Sequence, residues 1–391
     1  MMSYMFYAPT RVLFGAGQLS KLHEQTMPGK KAMLVISNGK STWMSGALDR
    51  TTEQLRAAGV EMALFDKVGA NPLKSIVEEG ADFARSNGCD FVVALGGGSV
   101  MDAAKVMAMY APQPGDLWDY VPGATGKMQP LVNPVLPWVA ITTTAGTGSE
   151  VDQWGVVTNP ATNEKIGCGG MDSLFPVLAV VDPELMATVP AKFTAYQGFD
   201  ALFHSTEGFI SKANSLMSDM VQLAAIENVG KYLARAVRDG SDMEAREHMA
   251  FANTMSGYSM VVGACTSEHA MEHAMSAYQH NLPHGAGLIM ISKAFAEFFI
   301  EKHACDEQFI KMARVMGIPQ ADKPEDFITA LMQLQKDCGV DDLKMSDYGF
   351  SRDECMTLAV NARATMGGLF LANPCEMSDA ECAGIFEKSY R

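Results

Sequence analysis

"VVALGGGSVMDAAK", residues 92–105, passes from an apolar run through three glycines directly into a helical pattern. The first four residues are β-rich and too short a run for a helix, whereas "SVMDAAK" has helix-forming composition. A strand that turns on glycine into a helix is the unit from which parallel sheets are built. Ser99 and Asp102 have the spacing of a capping box, with Ser99 as N-cap and Asp102 three positions on. Gly96, Gly97 and Gly98 let a ligand approach the backbone, and the helix N-terminus offers unpaired N–H groups at its positive end. A diphosphate suits that arrangement, and a tight turn without a ligand uses the same residues. It is not the G-x-G-x-x-G fingerprint, because Met101 occupies the place of the third glycine.

The same rhythm extends in both directions. "KKAMLVISNG" (30–39), "EMALFDKVG" (61–69) and "CDFVVALGGGS" (89–99) read as strands, alternating with helical "SGALDRTTEQLRAAGV" (45–60) and "LKSIVEEGADFARSNG" (73–88). "PWVAITTTAG" (137–146) and "FPVLAVVDP" (175–183) read as later strands of the same sheet. "ITTTAGTGSEVD" (141–152) gives a second loop after an apolar strand, with hydroxyls at Thr143, Thr144, Thr147 and Ser149. Loops at the carboxyl ends of parallel strands are where ligands bind in open α/β sheets. Beyond "VVDPELMATVP" (180–190) the strand signals stop and nearly everything reads as helix. We therefore expect an α/β domain over 1–184 with a parallel sheet, and an all-helical domain over 185–391.

Composition narrows the function. The formal net charge of −15 argues against nucleic acid or an anionic membrane as partner and leaves small molecules. No apolar run reaches the length of a membrane span, and no signal peptide is evident at the N-terminus. The eight cysteines contain no C-x-x-C pair, which suggests reduced thiols and a cytoplasmic location.

Four of the eight histidines fall in "SEHAMEHAMSAYQHNLPHGAG" (267–287): His269, His273, His280 and His284. Residues four apart share a helix face, and that spacing recurs at Asp200/His204, His269/His273 and His280/His284. Pro283 breaks a continuous helix, so the last pair belongs to a helix end or a loop. Each pair taken alone could be structural. Together they offer a carboxylate and several imidazoles from separate helices, which suits a divalent metal with an open position. Beside a diphosphate loop, a Lewis-acid metal suggests hydride transfer between a nicotinamide and a carbonyl.

These motifs resemble the iron-containing (group III) alcohol dehydrogenase family, relatives of glycerol dehydrogenase and dehydroquinate synthase. "GGGSVMDAAK", "TTAGTGSEV", "VVDPELMATVP", "GFDALFHSTEG" and "HAMEH…PHG" occur in the family's order along essentially the whole chain. The resemblance implies a metal held by Asp200, His204, His269 and His284, with Fe²⁺ ahead of Zn²⁺. It casts His273 as a histidine near the substrate that handles a proton, and leaves His280 without a role. The interval from His269 to His284 is one residue longer than the resemblance leads us to expect, which makes His280 the alternative to His284. Gly97, Gly98, Ser99 and Asp102 would serve the cofactor diphosphate, and Thr143, Thr144, Thr147 and Ser149 the nicotinamide side. Lys165 matches a family lysine at the ribose. Asn38, in "VISNGKS" (35–41), stands where NAD-preferring members carry an Asp, so NADP(H) is expected ahead of NAD(H). The implied activity is reversible oxidation of small primary alcohols to aldehydes by a homodimer or larger homo-oligomer. The alternatives are a polyol (glycerol-type) dehydrogenase and a nucleotide-binding relative that has lost catalysis.

Overall fold

The structure, a computed structural model, describes residues 4–391. It divides into two compact units, residues 8–188 and residues 189–391 joined by the N-terminal segment through Tyr7.

The first unit contains β1 (Arg11–Phe14), β2 (Lys31–Ser37), α1 (Ser41–Met44), α2 (Ala47–Ala57), β3 (Glu61–Val68) and α3 (Lys74–Ser86). It continues with β4 (Phe91–Gly96), α4 (Gly98–Tyr110), β5 (Trp138–Thr142), β6 (Trp154–Asn159), β7 (Glu164–Gly169) and β8 (Leu178–Val181). Six strands form one sheet in the order β1-β8-β5-β4-β2-β3, with every pairing parallel. Strands β4, β5 and β8 are buried along their whole length, as a sheet covered on both faces requires. One side of that core comprises Leu34, Ile36, Val93, Leu95, Val139, Ile141 and Val180.

The chain leaves β2 for β3 on one side and returns for β4 on the other. That reversal opens a crevice at the carboxyl ends of β2 and β4, the place where open α/β sheets bind ligands. The residues after β2, β4 and β5 therefore lie along one edge on adjacent strands. Val35 pairs with Ala94 and Gly96 with Thr142, which fixes the register.

Strands β6 and β7 form a separate antiparallel hairpin, which sequence periodicity does not reveal. The short edge strand β1 was not expected either. Their residues carry no clean alternation: Glu164 and Lys165 are buried on β7 although charged.

The second unit is helical, as expected: α5 (Ala191–Ile210), α6 (Leu216–Arg238), α7 (Met243–Val262), α8 (Ser267–Tyr278) and α9 (His284–Glu301). It ends with α10 (Asp306–Val315), α11 (Glu325–Asp337), α12 (Cys355–Leu371) and α13 (Asp379–Ser389). Helix α5 is buried over nearly all of its length, so its polar residues must be satisfied inside the protein. Glycines set how closely its neighbours approach. A Cβ on Gly285 would sit 2.1 Å from the carbonyl oxygen of Tyr196, so only glycine lets the start of α9 press on α5. Pro283 occupies the N-cap position of α9, with His284 as the first helical residue and no side-chain cap.

All eight cysteines are free. No helix among the described residues is long and apolar enough to cross a membrane.

Candidate metal centre and cofactor loops

Asp200 and His204 project from α5, His269 and His273 from α8, and His284 from the first position of α9. Three imidazoles converge on one oxygen. Asp200 Oδ1 lies 3.4 Å from His204 Nδ1 and 3.5 Å from both His269 Nε2 and His284 Nε2. Asp200 Oδ1 and His269 Nε2 are buried without a hydrogen-bond partner, a costly arrangement unless something else binds them. Burial pushes the Asp200 carboxyl up, but His204, His284 and His269 outweigh it and bring its pKa down to about 2. An ionised carboxylate facing three imidazole nitrogens in a buried pocket is the donor chemistry of a divalent transition metal, and the residues fit one.

Two glutamates that sequence reasoning passed over aim the imidazoles. The Nδ1 of His269 is held by Glu207, whose other oxygen accepts from the Thr266 N–H and hydroxyl at 2.8 Å each. The Nδ1 of His284 is held by Glu272, which also accepts from the Ser276 hydroxyl at 2.8 Å. A carboxylate on Nδ1 fixes the tautomer that leaves the Nε2 lone pair free for a metal. Each glutamate follows a histidine of its own helix by three residues and serves a histidine of a later helix. Both sit inside motifs already quoted, "HSTEG" and "HAMEH"; a glutamate on a fully buried helix was the available signal.

His273 is buried beside the centre, with its ring 5.5 Å from that of His284 and 6.4 Å from that of His269. His280 lies outside the group, exposed in the turn between α8 and α9.

The residues expected at the cofactor follow the strands that the register aligns. Asn38 follows β2, exposed, with Lys40 and Ser41 also exposed just beyond. Gly97 and Gly98 open α4 after β4, and residues 143–149 follow β5. The expected capping box is absent: α4 starts at Gly98 with Gly97 as N-cap, and no side chain caps it. Asp102 therefore lies beyond the first three helical positions and does other work. Its carboxylate accepts from the Ser149 hydroxyl at 2.9 Å and from the Val156 N–H at 3.2 Å. Burial raises its pKa to about 6.

Ser149 itself is buried and accepts from the Lys105 ammonium, which also donates to Asp152 at 2.7 Å. Asp102 and Ser149 thus tie the second loop and β6 to α4. The glycines have a second purpose as well. A Cβ on Gly97 would meet Thr144 Cγ2 at 2.7 Å, and one on Gly98 would meet Thr147 Cγ2 at 2.2 Å. Glycine is needed for the two loops to pack, whatever else approaches. Lys165 is buried on β7, opposite Thr158 of β6.

A parallel-sheet switch point edged by glycine loops in one unit and an Asp/His cluster fit for a metal in the other are the features of a metal-dependent, nucleotide-linked oxidoreductase. Residues 9–183 match the iron-containing alcohol dehydrogenase model, and residues 194–390 match the Fe-containing alcohol dehydrogenase C-terminal model. The chain is 33% identical to a 1,3-propanediol dehydrogenase of Klebsiella pneumoniae over the full length of both. Among solved structures, an archaeal halo-thermophilic Red Sea brine pool alcohol dehydrogenase superposes with a TM-score of 0.94 at 34% identity, over 100% of this chain and 99% of that one. Butanol dehydrogenases of both cofactor types are also similar. The NADH-dependent one of Clostridium acetobutylicum is 29% identical over all of each chain, and the NADPH-dependent one of Clostridium saccharobutylicum 30% over 98% and 97%. The chain belongs to the iron-containing alcohol dehydrogenase family, and is an oxidoreductase acting on alcohols with a nicotinamide cofactor and an iron-type metal.

Proposed function

We propose that this chain reversibly oxidises small primary alcohols to aldehydes, with Asp200, His204, His269 and His284 holding the metal and His273 handling the substrate proton. The observation that carries the assignment is the convergence of three imidazole nitrogens on Asp200 Oδ1 within 3.5 Å. When bound, the metal supplies Lewis acidity at the alcohol oxygen and the nicotinamide accepts or returns hydride. The chain's residues do the rest. Asp200 contributes one negative charge against neutral imidazoles, which leaves a divalent centre net positive. Glu207 and Glu272 keep His269 and His284 oriented through Nδ1. His273, buried beside the centre, takes the hydroxyl proton during oxidation and returns it during reduction.

On the cofactor side, Gly97, Gly98 and Ser99 receive the diphosphate at the start of α4, with Asp102 securing the loop. Thr143, Thr144 and Thr147 line the nicotinamide side, Ser149 anchors that segment, and Lys165 serves the ribose. The neutral Asn38 with Lys40 and Ser41 beyond it supports NADP(H) ahead of NAD(H), since no carboxylate there repels a 2′-phosphate. Residues 8–188 form the cofactor unit and 189–391 the metal unit of a cytoplasmic homo-oligomer that needs neither nucleic acid nor membrane.

The test is anaerobic aldehyde reduction by metal-stripped protein, with NADH and NADPH in parallel and Fe²⁺ or Zn²⁺ returned. Turnover restored by metal on short aldehydes, faster with NADPH, is the expected result. Turnover on glycerol-type polyols alone would move the substrate class, and metal-independent turnover would overturn the assignment.

A further inference from the structure

The turn between α7 and α8 carries a sulfur that the four-residue donor set does not use. Cys265 is 1% exposed. Its position is fixed by the next two residues: Thr266 binds Glu207 through its N–H and hydroxyl, and the Ser267 N–H donates to Asn373 at 3.0 Å. Glu207 is the same carboxylate that orients His269, so the sulfur and the imidazole share one anchor. The Cys265 Sγ and a ring nitrogen from each of His204 and His269 all lie within 4.8 Å of one another. Sulfur and nitrogen ligands on a tetrahedral metal stand roughly 3.5 Å apart, so metal binding would draw these atoms closer. His269 belongs also to the Asp200/His269/His284 group, and its buried Nε2 has no hydrogen-bond partner. The thiol donates to the Met260 sulfur at 3.1 Å, a weak acceptor.

We propose that Cys265 is an additional metal-binding residue of this centre, its thiolate joining His204 and His269 around thiophilic divalent metals such as Zn²⁺ and Co²⁺. The proposal rests on the reading that Asp200 and the three histidines hold a metal. As the sulfur–metal bond forms, the S–H bond breaks and its proton passes to solvent; no oxidation state changes. Thiolate is the softest donor within reach, so it strengthens binding of thiophilic metals relative to an all-N/O site. Cys265 would then bias which metal this particular chain retains.

The experiment is Co²⁺ loading of the metal-stripped full chain, followed by absorption spectroscopy of wild type and Cys265→Ser. Expected are cobalt d–d bands in both, with a near-ultraviolet sulfur-to-cobalt charge-transfer band in wild type that is lost in the variant. Wild-type d–d bands without the charge-transfer band would overturn the role of Cys265 and leave the metal centre standing. A charge-transfer band that persists in Cys265→Ser would also overturn it, by assigning the band to another sulfur. Wild type that binds no Co²⁺ would overturn both readings. Should the serine variant fail to fold, Cys265→Ala carries the same comparison, and the wild-type spectrum alone still decides whether sulfur binds.

Discussion

Single carboxylates set the chemistry of the centre. Glu207 holds Nδ1 of His269 and at the same time fixes Thr266, so one side chain positions a proposed ligand and the turn that leads to it. Replacing it by Gln removes the charge that favours the Nδ1–H tautomer, and metal affinity should fall about 10- to 100-fold with the fold intact. Metal titration of Glu207→Gln beside wild type checks this, and an unchanged affinity would remove Glu207 from the account. At the cofactor end, Asn38→Asp restores a carboxylate at the tip of β2 and should shift the NAD(H)/NADP(H) ratio of kcat/KM roughly tenfold or more toward NAD(H). An unmoved ratio would mean that this position does not read the 2′ substituent. Helical spacing and residue type mark the pairs Asp200/His204, His269/His273 and His280/His284, and only the family resemblance selects Asp200, His204, His269 and His284 from among them. Glu207 and Glu272 were not legible, because each pairs with a histidine on a different helix, and spacing along one helix carries no trace of that partner.

At the scale of elements, the strand–glycine–helix unit at 92–105 was legible because a parallel sheet buries both faces and leaves uninterrupted apolar runs. Ser99 has the residue type and spacing of a cap, yet α4 begins one residue before it and its N-cap is Gly97. The β6–β7 hairpin escaped notice because tertiary contacts with α4, and not alternation, stabilise it. Val156 of β6 is bonded to Asp102, and a Cβ on Gly155 would come within 2.9 Å of Val106 on α4. The glycines at 97 and 98 are explained by packing of one loop on another. Gly98→Ala should therefore destabilise the protein by about 1–3 kcal/mol through its clash with Thr147. Thr147→Ser deletes the clashing methyl and should recover most of that loss in the double variant, a coupling that denaturation of the four proteins would read. Additive losses would mean the glycine serves only a ligand.

Across the whole molecule, the glycine and threonine loops proposed for the cofactor all belong to residues 8–188, and the donor set proposed for the metal belongs to 189–391. The change in rhythm places a boundary at 184/185, whereas the compact units divide at 188/189 and residues 4–7 fall with the helical unit, a long-range association that periodicity does not carry. The net charge of −15 favours a divalent cation and works against polyanions, so the proposed diphosphate site relies on local N–H groups at the start of α4. Everything proposed about turnover rests on a metal at Asp200, His204, His269 and His284, with His273 beside it and not bound to it. The most direct measurement is metal content after anaerobic Fe²⁺ loading of wild type, His269→Ala and His273→Ala in parallel. The account predicts about one metal per chain in wild type and His273→Ala, with His273→Ala turnover lowered by about 10²- to 10⁴-fold, and loss of metal from His269→Ala. Full metal retention in His269→Ala, or equal loss from His273→Ala, would contradict it.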